Sequence, residues 1–239
     1  MRLKEFLSVR GIDFVSVNVL EDPAGLAELQ KLGARSVPVL SRGDKFTFGQ
    51  STKQIVEFLG IDEKSGPELS PAELYARLDK FMTAAIELLP LMPYDRLDAH
   101  VPGRPRSYRT LGFHLFRVVD AFLDANQGIT LVQAMFREEP AADANTAALV
   151  AYGTKVRQRF RDWWAAYEKL GGDTSGTRTL DTYYGPQSLH ELLERTTWHS
   201  GQHVRQYMML LEREGQTHSR PLVEADFARL PMPQNVWDG

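Results

Sequence analysis

The sequence predicts an α+β protein of two domains, a small α/β domain followed by a bundle of four long helices. Three observations support this prediction. Residues 1–61 mix short helical patterns with alternating apolar ones. Residues 62–70 are rich in Gly, Pro, Ser and acidic side chains, as in a linker. Residues 71–239 contain four long segments with apolar residues at helical spacing.

The first domain opens with a helix, a strand and a second helix. The segment "LKEFLSVRG" predicts a short helix that ends near Gly11. The segment "DFVSVNVL" alternates apolar and polar residues and is β-branched, which predicts a strand. In "DPAGLAELQKLG", Asp22 is the expected N-cap, Pro23 takes the first helical position and Gly33 follows the end.

The domain then continues with a hairpin and a third helix. The apolar segments "SVPVL" and "KFTFG" flank the turn "SRGD", which predicts two antiparallel strands. The segment "STKQIVEFLG" predicts another capped helix. The order helix, strand, helix, strand, strand, helix is typical of an α/β unit.

Four amphipathic helices are predicted after the linker. The first begins with a capping box formed by Ser70 and Glu73, with Pro71 at the first helical position. Their predicted segments are "SPAELYARLDKFMTAAIELL", "SYRTLGFHLFRVVDAFLDA", "NTAALVAYGTKVRQRFRDWWAAYEKL", closed by Gly171 and Gly172, and "GPQSLHELLERTTWHSGQHVRQYMMLLEREG", closed by Gly215.

Composition narrows the classes of function. The net charge is −3 and basic residues do not cluster, which argues against a nucleic-acid or anionic-membrane partner. The charged, interrupted N-terminal segment does not resemble a secretory signal, so a cytoplasmic protein is expected. There is no cysteine, so a metal within these residues must be held by His, Asp, Glu or backbone oxygen.

The histidine spacing points to a metal site. His199 and His203 are four residues apart on the last predicted helix, so both side chains lie on one face. His114 occupies a position in the second helix where a core Leu would be expected, and it is the candidate third ligand. Neutral imidazoles bind Zn, Ni, Fe or Mn, and three leave coordination positions open. The alternative for His114 is a hydrogen-bonded core histidine.

The first domain resembles the glutaredoxin and thioredoxin family. The segment "RSVPVL" resembles the family segment whose proline forms a cis peptide bond beside the bound thiol, and "GQSTKQIVEFL" resembles the last strand and helix. The resemblance implies a cis Val37–Pro38 bond and assigns thiol binding to Val37 and Pro38. The chain departs from the family because the first strand and the Cys-x-x-Cys or Cys-x-x-Ser motif are not present. Either the natural chain extends upstream of Met1 with a redox cysteine, or the domain is a remnant that serves only in packing.

The second domain resembles the DinB/YfiT-like metalloenzyme superfamily over about residues 70–215. The segments that carry the resemblance are "LGFHLFRVVDAF" and "HSGQHVRQ". His114, His199 and His203 match, one by one, the family's single His on the second helix and its two His on the last long helix. The resemblance implies a four-helix bundle with a divalent metal at one end.

Two classes of function follow from these resemblances. The first is a metal-dependent enzyme that uses a low-molecular-weight thiol, glutathione, for S-transfer to a small electrophile or for its isomerisation, with Arg117 or Arg195 holding a thiol carboxylate. The second is a non-catalytic, metal-binding, dimeric interaction module. Trp163 and Trp164 are adjacent and cannot both face one core, so one of them is expected to line a dimer contact or a substrate pocket. A nuclease is disfavoured because no carboxylate cluster and no basic stripe occur.

Overall fold

A computed structural model describes residues 3–62, 66–101, 104–169 and 178–237 of the chain. The chain divides into two compact units, residues 1–66 and residues 67–239. Gly171 and Gly172, which were expected to end the third long helix, lie outside the described residues.

The described secondary structure is mostly helical, with two small sheets. The first unit contains α1 (Leu3–Val9), α2 (Pro23–Lys31), β1 (Val39–Arg42), β2 (Lys45–Phe48) and α3 (Thr52–Leu59). The second unit contains α4 (Pro71–Leu88), α5 (Tyr108–Asn126), α6 (Thr146–Lys169), β3 (Thr179–Leu180), β4 (Gln187–Ser188) and α7 (Leu189–Arg213). A short 3-10 helix, Gln133–Arg137, lies between α5 and α6.

Local capping signals fix the helices of the first unit. The carboxylate of Asp22 accepts hydrogen bonds from the backbone N–H groups of Ala24 and Gly25, at 3.0 and 3.1 Å, and so begins α2. Strands β1 and β2 pair in antiparallel register around the predicted turn. The Val37–Pro38 peptide bond is cis, as the resemblance implied.

The predicted strand at "DFVSVNVL" is wrong. Residues 13–18 form no strand, and the side chains of Val15 and Leu20 are 90% and 92% exposed. Alternating apolar residues supply a face for a strand, but a strand also requires a neighbour that satisfies its backbone hydrogen bonds. Among residues 3–62, the strands are β1 and β2, and they pair with each other. The alternating segment therefore contributes no ladder.

The four long helices share the core of the second unit. Helix α4 packs against α6 and α7, and α5 packs against the same two helices. The capping box at Ser70 is present, with a carboxylate oxygen of Glu73 accepting from the Ser70 backbone N–H at 2.8 Å. The predicted apolar stripe of α4 is buried, and it comprises Leu74, Leu78, Phe81, Ala85 and Leu88. Burial of such stripes supplies most of the stability of a helical unit.

A glycine in α7 allows close packing beside the paired histidines. A Cβ atom at Gly201 would lie only 2.7 Å from a ring carbon of Phe81 on α4. Because real contacts of Cβ atoms are essentially never that short, Phe81 can occupy this position only while residue 201 lacks a side chain. The contact fixes the distance between α4 and the segment of α7 that carries His199 and His203.

The two adjacent tryptophans of α6 have different surroundings. Trp164 is 7% exposed and stacks on Tyr75 with the ring centroids 4.6 Å apart. Trp163 is half-buried and lines a surface groove of about 940 Å³ between α5 and α6. None of the three candidate histidines lines this groove. Among the described residues, no helix has both the length and the hydropathy needed to cross a membrane.

Candidate metal centre

The three candidate histidines lie on the two helices that the sequence predicted for them. His114 lies near the middle of α5 and is 3% exposed. His199 and His203 lie on consecutive turns of α7, which packs against α5, and both are half-buried. The caps at Ser107 and Ser188 set where these helices begin, and the apolar stripes set which faces meet.

The three imidazoles converge on one point. One nitrogen from each ring can be chosen so that all three atoms lie within 4.8 Å of one another. The ring centroids are 4.6 Å apart for His199 and His203, 4.9 Å for His114 and His203, and 5.7 Å for His114 and His199. Three imidazole nitrogens at this spacing suit a tetrahedral or five-coordinate ion with open positions.

A glutamine fixes the orientation and tautomer of His203. The amide of Gln206 donates from Nε2 to the carbonyl oxygen of Val236 at 3.0 Å, which directs its Oε1 to Nδ1 of His203 at 2.7 Å. Because an amide oxygen only accepts hydrogen bonds, Nδ1 of His203 carries the proton. Its Nε2 then carries the lone pair that a metal ligand requires, and this atom lies 2.8 Å from Nε2 of His199.

The segment that anchors Gln206 is itself held on α7. Gln202 donates from Nε2 to the carbonyl oxygens of Asn235 and Val236, at 3.1 and 2.7 Å. Arg205 donates to the carbonyl oxygen of Pro233 at 3.0 Å. Residues 233–236 therefore form a strap over α7, held by the side chains of Gln202, Arg205 and Gln206, and Gln206 also contacts the candidate metal ligand His203.

Burial favours the neutral form of the clustered histidines. Burial holds the pKa of His114 and the pKa of His199 well below the ordinary histidine value, and the proximity of His203 lowers both further. Arg106 and Arg195 also contribute to the lowering of both pKa values. Neutral imidazoles are the form that binds divalent metals, so the electrostatics of the cluster suit a divalent metal ion.

The two arginines proposed from the sequence differ in their surroundings. Arg117 donates from Nε and an Nη to the two carboxylate oxygens of Glu138, at 2.8 and 3.0 Å, so its charge is already paired. The guanidinium of Arg195 lies 5.2 Å from the ring centroid of Tyr184 and 5.8 Å from that of Phe136. Of the two, Arg195 is therefore the better placed to bind a ligand carboxylate.

Sequence reasoning missed several residues around the cluster. Phe136 lies with its ring centroid 6.4 Å from that of His114, and Trp198 lies 5.7 Å from His199. Arg106 precedes α5, in a segment with no periodicity to place it. Gln206 was not among them, because the helical spacing already places it on the face of His199, and the structure adds its hydrogen bond to His203.

Val37 and Pro38 belong to the first unit. Val37 is 46% exposed, and its carbonyl oxygen accepts a hydrogen bond from Nε2 of Gln50 at 3.2 Å. Thiol binding at these two residues is a prediction from the resemblance. The segment they belong to leads directly into β1.

Comparison with known proteins supports the first of the two resemblances. Residues 1–47 match the family model described as Glutaredoxin. The match covers α1, α2 and the hairpin of the first unit. No curated protein matches the chain.

Proposed function

We propose that this protein is a metal-dependent enzyme that uses a low-molecular-weight thiol, glutathione, either to form a bond between the thiol sulfur and a small electrophile, with loss of the thiol proton and displacement of any leaving group, or to isomerise the electrophile. The observation that carries the proposal is the convergence of His114, His199 and His203 in the second unit. The glutaredoxin match at residues 1–47 supports glutathione as the thiol, since members of that family interact with glutathione. A DinB/YfiT-like assignment of the helical unit is part of the proposal and rests on the positions of these histidines.

The absence of cysteine from these residues makes a cofactor thiol necessary for the proposed chemistry. The 239 residues contain no cysteine, so the nucleophile comes from a bound molecule. A free thiol has a pKa near 8.5, so only a minority is thiolate at neutral pH. A divalent ion held by the three histidines would stabilise the thiolate, the reactive form.

The chain's own residues supply binding and orientation. Gln206 holds His203 in the tautomer whose Nε2 faces the cluster. Burial keeps His114 and His199 neutral, so their lone pairs remain available. The aromatic rings of Phe136 and Trp198 flank the histidines and reduce the access of water to one side of the cluster.

The proposal is tested by measuring glutathione consumption and product formation with a panel of small electrophiles, because S-transfer consumes the thiol whereas isomerisation regenerates it. Protein loaded separately with Zn, Ni, Fe and Mn is compared with chelated protein. Turnover should require metal and should be abolished in His199→Ala and in His203→Ala, with the helical circular dichroism unchanged. The exposed His100 provides a matched control, and His100→Ala should turn over at the wild-type rate.

The same assay distinguishes the second class of function. Equal rates with and without metal would rule out the proposed mechanism. Stoichiometric metal binding without turnover by any loaded form would favour a non-catalytic, dimeric interaction module. In that case, sedimentation of the metal-loaded protein should show a dimer, and the half-buried Trp163 on the α5–α6 groove is the residue to substitute first.

A further inference from the structure

Most arginines that anchor the helical unit are paired with carboxylates. Arg109 contacts Asp98 at 2.8 Å, Arg117 contacts Glu138 at 2.8 Å, and Arg157 contacts Asp79 at 2.8 Å. Such pairing is expected, because a partly buried guanidinium needs a partner of opposite charge.

Arg106 and Arg195 do not follow this pattern. In the described part of the chain, neither has a carboxylate within ion-pair distance. The Nε atom of Arg195 is buried and has no hydrogen-bond partner among those residues. A buried donor left without a partner is costly, so its retention calls for an explanation.

Arg195 lies beside the histidine cluster. It precedes His199 by one turn of α7, and Phe136 lies between it and His114, with its ring centroid 5.8 Å from the guanidinium and 6.4 Å from the imidazole centroid.

The charge of Arg195 favours an anion in this region. An arginine without an acidic partner and a divalent ion would place positive charges together, with only neutral imidazoles between them. A ligand that carries negative charge offsets this repulsion, and a planar carboxylate matches the guanidinium fork.

We propose that Arg195 forms a carboxylate-binding subsite beside the three histidines, so that the ligand taken there is a small molecule bearing a carboxylate near its reactive group. This inference rests on the proposed function for the identity of the reactive group, while the subsite itself rests on Arg195. Tyr184 and Phe136 form apolar walls for the same subsite.

The test compares two thiols that differ in one carboxylate. The full chain is loaded with Co(II), and the thiolate-to-cobalt absorption band is titrated with 3-mercaptopropionate and with 2-mercaptoethanol. The wild type should bind the carboxylate thiol more tightly by about tenfold or more, as a hydrogen-bonded buried charge implies. The preference should be lost in Arg195→Gln.

A control and a second measurement separate this inference from the proposed function. Arg213→Gln removes the same charge from an exposed position of α7 and should keep the full preference. In parallel, the melting temperature of the metal-free protein is measured in succinate and in chloride of equal ionic strength. Succinate should raise it in the wild type and in Arg213→Gln but not in Arg195→Gln.

The outcomes are distinguishable. A thiolate band that forms equally well with both thiols, without stabilisation by succinate, would leave the thiol chemistry standing and overturn the carboxylate subsite. A succinate effect that depends on Arg195, without a thiolate band from either thiol, would support the subsite and remove the thiol from the proposed function.

Discussion

Nε2 of His199 and Nε2 of His203 lie 2.8 Å apart. Two lone pairs cannot face each other at this distance, so either a proton or a cation must lie between them. Metal bonds of 2.0–2.1 Å at a tetrahedral angle would separate the two nitrogens by about 3.3 Å. A small rotation of either ring is therefore sufficient to admit an ion.

The first prediction concerns the buried ligand. His114→Ala should weaken metal binding more than the roughly 10–100-fold effect typical of groups outside the ligand set, because one of three donors is lost. Metal affinity is measured by competition with a chromophoric chelator. His100→Ala should retain the wild-type affinity, and an unchanged affinity in His114→Ala would mean that the third ligand is another group.

The second prediction concerns the tautomer of His203. Gln206→Leu removes the acceptor for Nδ1–H of His203 and the donor to Val236, so both tautomers become accessible. Metal affinity should fall about 10–100-fold with little change in helical content. Gln202→Leu also loosens residues 235–236 but does not contact His203, so it should affect affinity much less. Equal losses of metal affinity in the two variants would mean that the effect comes from loosening residues 233–236 and not from the tautomer of His203.

The convergence of the three histidines could be anticipated from the sequence because the helical phase is local and the surrounding signals agree. Ser70, Ser107 and Ser188 cap the helices through residues three positions away, so sequence alone reveals where each helix begins. The spacing of His199 and His203 then determines their common face.

The remaining features depend on distant partners. Gln206 reaches Val236 across 30 positions, and nothing near Arg106 in sequence indicates that it lies beside the cluster. Likewise the alternation of "DFVSVNVL" describes one face of a strand but not the neighbour that a strand requires. The periodicity of a sequence does not reveal contacts between residues that are far apart in the chain. This explains both the residues that the sequence did not place beside the cluster and the wrongly predicted strand.

The third prediction concerns an ion pair between α4 and α6. Asp79 accepts two hydrogen bonds from Arg157, at 2.8 and 2.9 Å, and two from Arg161, both at 2.9 Å. Asp79→Asn should lower the free energy of unfolding at neutral pH by about 1–3 kcal/mol, measured by urea denaturation. Asp162→Asn makes the same change at an exposed position of α6 and should have little effect.

The stabilising effect of Asp79 should depend on pH in a defined direction. Burial alone would raise the pKa of Asp79, but the hydrogen bonds from Arg157 and Arg161 outweigh it and the net pKa is lowered. The stabilisation is therefore fully present above the ordinary value of 3.8 and is lost as the pH falls through the lower folded value. The difference between wild type and Asp79→Asn should shrink below pH 3.8, and a constant difference would contradict the assigned pairing.

The fourth prediction concerns the close contact of Gly201. Gly201→Ala adds a Cβ atom 2.7 Å from the ring of Phe81. Helix propensity alone would make this change stabilising by about 1 kcal/mol. The steric cost should dominate and lower the free energy of unfolding by about 1–3 kcal/mol. Because His199 and His203 flank residue 201, metal affinity should fall as well, and a stabilised protein with unchanged affinity would mean that α4 and α7 are not this close.

The central claim is that one divalent ion binds to His114, His199 and His203. The most direct measurement is X-ray absorption on the full chain loaded with zinc, together with the metal content after dialysis. The account predicts one zinc per chain with three imidazole nitrogens at about 2.0–2.1 Å, and loss of the stoichiometric metal in His199→Ala. Less than stoichiometric metal in the wild type, or a coordination shell of oxygen atoms that His199→Ala leaves unchanged, would contradict it.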